Sequence, residues 1–120
     1  MKYMLLIYTE ESTNPPAEQV IPQHVAFTKD AIAKGAYVTS DALASPAEAR
    51  TVRVRADETL TTDGPFAETK EVLGGYYVVE CADIEEACRY AAGIPGARNG
   101  CVEVRPVRVI PGWEEAVGPA

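Results

Sequence analysis

Two segments with helical periodicity separate several strand-like segments, and this order restricts the fold more than any other feature. In the first, side chains from Val20 to Ala31 recur at helical spacing until Gly35 ends the run. The second follows Asp83, a residue type that commonly caps helices. Alternating or compact apolar patterns predict strands at residues 2–9, 36–43, 51–55, 59–61, 74–81 and 101–109.

The start of the first helix is ambiguous in the sequence. Asn14 is a residue type that caps helices, and Pro15 or Pro16 suits a first helical turn. Pro22 lies a few residues further on and would delay the helix to about Ile21 if its missing N–H could not be tolerated. Asn14 is therefore predicted as the N-cap, with a later start as the alternative.

The order strand, helix, strands, strand, helix, strand predicts an α+β fold of ferredoxin-like type. In such a fold an antiparallel sheet carries both helices on one face. Alternation in the last strand would turn Val102 and Val104 toward the helices, with Cys101, Glu103 and Arg105 on the opposite face.

The face away from the helices has two interpretations. It is either solvated or covered by a second subunit, which would make a dimer with polar groups around an enclosed space. Met4, Tyr76 and Val78 are assigned to the same face, and these large side chains favour the homodimer.

Composition narrows the class of protein. The chain has 120 residues and a formal net charge of −7, without a basic run, so nucleic-acid binding is not expected. Its apolar content suits one globular domain at residues 1–110, followed by a tail at residues 111–120. No apolar stretch is long enough to span a bilayer and no signal-peptide pattern is present, so a soluble, cytoplasmic protein is expected. Trp113 in the tail belongs either to a frayed terminus or to an aromatic contact with a partner subunit.

The cysteines and the single histidine argue against a metal site. Cys81, Cys88 and Cys101 have no C-x-x-C spacing, so neither a disulfide framework nor a zinc site is favoured. Buried small side chains are the expected role for all three. Because His24 is the only histidine, a protein-derived metal site is not expected.

His24 and the Asp63 turn are the candidate functional features. His24 lies on the apolar stripe of the first helix, where an imidazole is either a satisfied core residue or a group held over a pocket. Asp63, Gly64 and Pro65 form a turn sequence in which the aspartate side chain is expected to cap backbone amides. Phe66 follows as an aromatic anchor in a polar loop, and loops of this kind often border sites.

The segment TDGPFAETKEVLGGYY at residues 62–77 resembles the signature of DGPF-domain proteins, a branch of the YCII-related family. The opening residues 1–8, the helical His24 and Phe27, and residues 49–53 and 102–107 also suit that family. The resemblance therefore covers nearly the whole chain apart from its tail.

The resemblance implies a ferredoxin-like subunit paired as a dimeric α/β barrel, similar to small lyases and isomerases that include a chloromuconolactone dehalogenase branch. It also implies a His/Asp pair as the active site, with the histidine at His24. The aspartate is either Asp63, which belongs to the signature and is preferred, or Asp41 on the second predicted strand. Some relatives occur with sigma-factor genes, which leaves a regulatory role open.

Three functions follow as hypotheses. In the first, a cofactor-independent enzyme acts on a small organic molecule: His24 transfers a proton, Asp63 orients the imidazole, and Arg53 or Arg105 holds a substrate carboxylate. In the second, a non-catalytic dimer binds a small ligand or a protein such as a sigma factor. In the third, the same polar groups serve only folding and dimerisation.

Overall fold

The structure, a computed structural model, describes residues 1–119, and in this range the chain forms a mixed α+β fold. The strands are β1 Lys2–Thr9, β2 Tyr37–Ala42, β3 Arg50–Arg55, β4 Glu58–Asp63, β5 Val72–Glu80 and β6 Gly100–Pro106. The helices are α1 Ala17–Ala33, α2 Ile84–Ala92 and the short α3 Trp113–Val117.

Four strands form one antiparallel sheet in the order β2-β5-β1-β6. In the centre of the sheet Leu5 of β1 lies opposite Tyr77 of β5 and Val104 of β6. Because strand side chains alternate between faces, this register sets which residues meet the helices.

Both longer helices pack on the same face of this sheet. Leu5, Val79 and Ile94 are fully buried there, and Ala87 of α2 belongs to the same cluster. Phe27 of α1 packs against the cluster from the other helix. The face assignment of Val102 and Val104 is confirmed, because both pack against this cluster whereas their strand neighbours are exposed.

Helix α1 starts earlier than the Pro22 argument predicted and has a different cap. Pro16 occupies the N-cap position, and Pro22 lies inside the helix. The prediction of Asn14 as the cap is wrong: its side-chain oxygen instead accepts a hydrogen bond from Asn99 at 3.0 Å. The first turn forms without a side-chain cap because the backbone N–H groups of Gln19 and Val20 both donate to the carbonyl oxygen of Pro16.

Strands β3 and β4 form a separate hairpin, which we call the arm (residues 50–63). Ala56 and Asp57 connect them, both with positive φ, as a two-residue turn between twisted strands requires. With this arm the chain is less compact than a typical domain. Its radius of gyration is 16.7 Å, against about 14 Å for a compact domain of this length.

The cysteines only partly match their prediction. Cys81 is buried, and this burial raises the pKa of its thiol to about 11. Cys88 and Cys101 are exposed, so the expectation of three buried side chains is wrong for these two. Cys101 lies on the sheet face without helices, and Cys88 lies on a part of α2 that no other layer covers.

The tail contains α3, where Trp113 is exposed. The last residue of the predicted tail, Ala120, lies outside the described residues. Within residues 1–119, no helix has the length and apolar character needed to cross a membrane.

Candidate functional site

A cavity of about 930 Å³ lies between α1 and the helix-facing side of the sheet. Its walls come from α1, from the ends of β1, β2 and β5, and from the segment around residues 95–99. This volume is in the range of clefts that hold small organic ligands. His24 and Tyr77 both line it.

Helix α1 presents three side chains to this region at helical spacing. His24, Phe27 and Thr28 are related by i, i+3 and i+4, so they share one face of the helix. That face meets β5, where alternation turns Tyr77 toward the helices and Tyr76 away. The imidazole is therefore a half-buried group at the wall of a cavity.

The contacts of His24 are made by its Nδ1 atom. This nitrogen lies 2.8 Å from the hydroxyl oxygen of Tyr77. Thr28 donates its hydroxyl hydrogen to the backbone carbonyl oxygen of His24 at 2.8 Å, and its Oγ1 also lies 3.3 Å from the Tyr77 hydroxyl. Among residues 1–119, Tyr77 is the one protein group that hydrogen-bonds to the ring of His24, which leaves Nε2 without a protein partner.

Tyr77 holds its position through packing as well as through hydrogen bonds. Tyr77 is buried, and the ring of Phe27 contacts the Tyr77 ring edge-on, with the two ring centroids 4.8 Å apart. A tyrosine fixed in this way presents its hydroxyl oxygen to Nδ1 with little freedom to move.

Burial lowers the pKa of His24 below its ordinary value of 6.5. No carboxylate in the described part of the chain offsets this effect. The imidazole is therefore neutral near pH 7 and can accept a proton.

The lowered pKa predicts a pH effect on folding. The unfolded state binds the histidine proton more tightly, so the stability present above about pH 6.5 is lost as the pH falls through the lower folded pKa. We therefore expect the free energy of unfolding, measured by chemical denaturation, to fall more between about pH 7.5 and pH 5.5 in the wild type than in His24→Gln. Equal losses in the two proteins would contradict the lowered pKa.

The charges around the cavity differ from those of the whole chain. Lys29 and Arg98 line the cavity, and neither forms an ion pair within residues 1–119. Asp41 is the one acidic residue among the described lining residues, and its carboxylate accepts a hydrogen bond from Tyr76 at 2.7 Å. An otherwise acidic chain therefore places two free cations at this cavity.

Three of the sequence-predicted site residues lie away from this cavity. The side chain of Asp63 is 95 % exposed at the end of the arm, and its carboxylate faces Arg50 at 3.6 Å instead of capping the following amides. Arg53 is exposed in the middle of the arm, and Phe66 is 81 % exposed just beyond it. The structure does not bring any of them to His24 within one chain.

Arg105 and Asp41 occupy the other face of the main sheet. Arg105 is exposed on β6 opposite Met4, on the side without helices. Asp41 pairs with Tyr76 across β2 and β5, so its carboxylate points to that side as well, although the residue borders the cavity. Neither aspartate considered from the sequence hydrogen-bonds to His24.

Gly75 allows β2 to approach β5 beside the cavity. A Cβ atom at this residue would lie 2.9 Å from the backbone oxygen of Asp41, whereas one at Gly74 would meet nothing within 4 Å. A glycine within a strand often marks a close approach of another backbone, and here Gly75 does so whereas Gly74 does not.

Gly75→Ala is expected to lower the free energy of unfolding by about 1–3 kcal/mol, because a backbone atom cannot yield cheaply to the new methyl group. Gly74→Ala is the matched control on the adjacent residue and should change stability by less than about 1 kcal/mol. Urea denaturation of both variants measures the difference. Equal free energies of unfolding for the two variants would contradict this prediction, since β2 would then accommodate the methyl group at residue 75 without loss of stability.

Comparison with known proteins gives the family. The family model described as the YCII-related domain matches residues 1–111. The chain belongs to the YCII-related family. A YCII-related relative from Rhizobium meliloti (strain 1021) is 35 % identical over 114 residues, covering 89 % of this chain and 92 % of that protein, and is described as uncharacterized. Membership therefore confirms the resemblance seen in the sequence, while the reaction is not fixed by the family.

Sequence reasoning did not identify Tyr77 or Thr28 as partners of His24. The signal was present in the helical spacing of His24 and Thr28 and in the tyrosine on the most aromatic strand. The sequence assigned Tyr76 to the face away from the helices, and by alternation this turns Tyr77 toward them, but the contact between Tyr77 and His24 was not predicted.

Proposed function

We propose that this YCII-related protein is an enzyme that moves a proton on a small organic molecule without a cofactor. The observation that carries the proposal is His24, which lines a ligand-sized cavity and whose Nδ1 contacts Tyr77 while Nε2 has no hydrogen-bond partner among residues 1–119. A neutral imidazole in that position meets the geometric requirement for a general base.

The proposed reaction is an isomerisation or elimination next to a carbonyl group. Nε2 accepts a proton from the carbon next to the carbonyl group, and the electrons of the broken C–H bond shift toward the carbonyl oxygen. In the isomerisation the imidazolium, whose proton exchanges with solvent, returns a proton to another carbon of the substrate. In the elimination the electrons form a new C–C double bond, the bond to the leaving group breaks, and the imidazolium protonates that group, so neither reaction requires an oxidant or a reductant. Lys29 and Arg98 would hold a substrate carboxylate, since both are cavity cations without a protein partner.

The proposal gives the aspartate of the predicted His/Asp pair no role within one subunit. Asp63 and Asp41 remain candidates for a catalytic role, but in one subunit Tyr77 already holds the nitrogen that an orienting carboxylate would use. We therefore assign the proton transfer to His24 alone and treat either aspartate as a group that would have to reach the cavity in a closed or dimeric state.

We propose a ferredoxin-like subunit that forms a homodimer. Without the arm, the strand order β2-β5-β1-β6 is the order expected for two interleaved strand–helix–strand units. The sheet face away from the helices carries Met4, Leu6 and Tyr76, which a second subunit would bury. A dimer would also allow the arm residues Arg53, Asp63 and Phe66 to act at the cavity of the other subunit.

A second candidate is a non-catalytic dimer that binds a ligand or a protein such as a sigma factor. The exposed arm favours it, because Val52 and Val54 share one face of an isolated hairpin and are both more than half exposed. Two-stranded hairpins are marginal in water by themselves, so a covering partner would stabilise the arm. Under this candidate, a ligand binds the cavity but is never converted.

A thermal-shift screen against small carboxylic acids and lactones tests ligand binding at the cavity. A ligand at 100 times its dissociation constant adds about 2.7 kcal/mol, which raises the melting temperature by several degrees in a domain of this size. We expect a hit that weakens in Arg98→Gln and persists in the control Arg89→Gln, which replaces an exposed arginine of α2 away from the cavity. Equal binding by Arg98→Gln and the wild type would contradict a role for Arg98 in holding the ligand.

A further inference from the structure

The hydrogen-bond chain behind His24 determines which ring nitrogen carries the proton. We infer that Thr28 and Tyr77 together hold neutral His24 with its hydrogen on Nδ1, so that Nε2 presents a lone pair to the cavity. Both act as positioning residues, and the inference deepens the proposed function on which its catalytic meaning rests.

Thr28 is the first donor in this series of hydrogen bonds. Its hydroxyl has one hydrogen, and that hydrogen is donated to the carbonyl oxygen of His24 at 2.8 Å. Thr28 Oγ1 can therefore take part in the 3.3 Å contact with Tyr77 only as an acceptor. If this contact is a hydrogen bond, the tyrosine hydroxyl is its donor.

Tyr77 also has one hydroxyl hydrogen. If that hydrogen is directed to Thr28, the tyrosine oxygen is left as an acceptor 2.8 Å from Nδ1. Nδ1 must then carry the ring hydrogen and donate it. Each donor in this arrangement has one acceptor, and the hydrogen bond from Thr28 ends at the carbonyl oxygen of His24 itself.

The arrangement also suits the charged state of the ring. When Nε2 accepts a proton, Nδ1–H continues to donate to Tyr77, so no hydrogen bond behind the ring has to reverse. A polar environment that is already oriented for the charged state is the kind that lowers barriers to proton transfer. Tyr77 thus takes the orienting place that an aspartate has in a His/Asp pair, without adding a negative charge.

The single histidine makes a direct test simple. Protein labelled with ¹⁵N-histidine gives one pair of ring nitrogen signals, whose shifts identify the protonated nitrogen. The measurement is made on the full chain at about pH 8, where the lowered pKa keeps the ring neutral. We expect the hydrogen on Nδ1 in the wild type, and a hydrogen on Nε2 would overturn the inference without any variant being made.

Variants then separate positioning from packing. Thr28→Val removes the acceptor for Tyr77, so the tyrosine hydrogen should turn to Nδ1 and the ring hydrogen should move to Nε2. Thr28→Ser keeps the hydroxyl and should retain the wild-type signals, and Tyr77→Phe should also lose the preference for Nδ1–H. An unchanged tautomer in both folded Thr28→Val and folded Tyr77→Phe would overturn the inference.

This test is independent of the proposed reaction. The ring signals are recorded without a ligand, so the tautomer can be correct in a protein that catalyses nothing. Conversely, an active enzyme whose wild-type ring carries its hydrogen on Nε2 would refute the hydrogen-bond chain and leave the proposed reaction to be explained by another base.

Discussion

Replacing Leu5 with alanine is expected to lower the free energy of unfolding by about 2–5 kcal/mol. Leu5 is fully buried at the centre of β1, between Tyr77 on one neighbouring strand and Val104 on the other. The loss combines the apolar surface no longer buried with the cavity left between the sheet and the helices. Urea denaturation followed by circular dichroism measures it.

Leu43→Ala is the matched control for this prediction. Leu43 follows β2 and is 46 % exposed, so the same chemical change should cost about 0.5 kcal/mol or less. Similar losses at the two positions would contradict the placement of the core on the helix-facing side of the main sheet.

His24→Gln is expected to reduce the rate of any proton transfer in the cavity by about 10²–10⁴-fold, the usual contribution of a positioned acid–base group. Glutamine keeps a polar side chain near Tyr77 but cannot exchange a proton at neutral pH. Steady-state rates with a compound found in the binding screen provide the measurement, and a wild-type rate in the folded variant would exclude His24 as the base.

Asp41→Asn and Asp63→Asn determine whether either aspartate takes part. Both carboxylates are outside hydrogen-bond contact with His24 in one chain, so neither single replacement is expected to match the loss in His24→Gln. If Asp63→Asn alone caused an equal loss, the arm of a second subunit would have to reach the cavity.

The sequence predicted the main architecture because the strongest patterns lie in the elements that form the core. Strand β1 was predicted with the bounds found, and Asp83 caps α2 through the backbone N–H of Glu86, as expected from its residue type. The arm was not predicted as a hairpin. Its turn uses Ala56 and Asp57, which lack the glycine that normally signals such a turn.

The site was only partly predictable because its geometry depends on contacts distant in sequence. A single histidine on an apolar stripe pointed to His24, and the structure places it at a cavity. Its partner Tyr77 lies 53 residues away in the chain, so no pattern near His24 in the sequence indicates this contact. Lys29 and Arg98 have no local signal of a binding role, since both are exposed cations in an ordinary helix and loop.

Deuterium exchange in D₂O tests the central claim most directly. The wild type and His24→Gln are incubated with the binding compounds in the presence of a metal chelator and without added cofactor, and mass spectrometry records deuterium in each compound. We expect deuterium incorporation into at least one compound with the wild type and no incorporation with folded His24→Gln. Binding without any wild-type incorporation or conversion, or equal incorporation by both proteins, would contradict it.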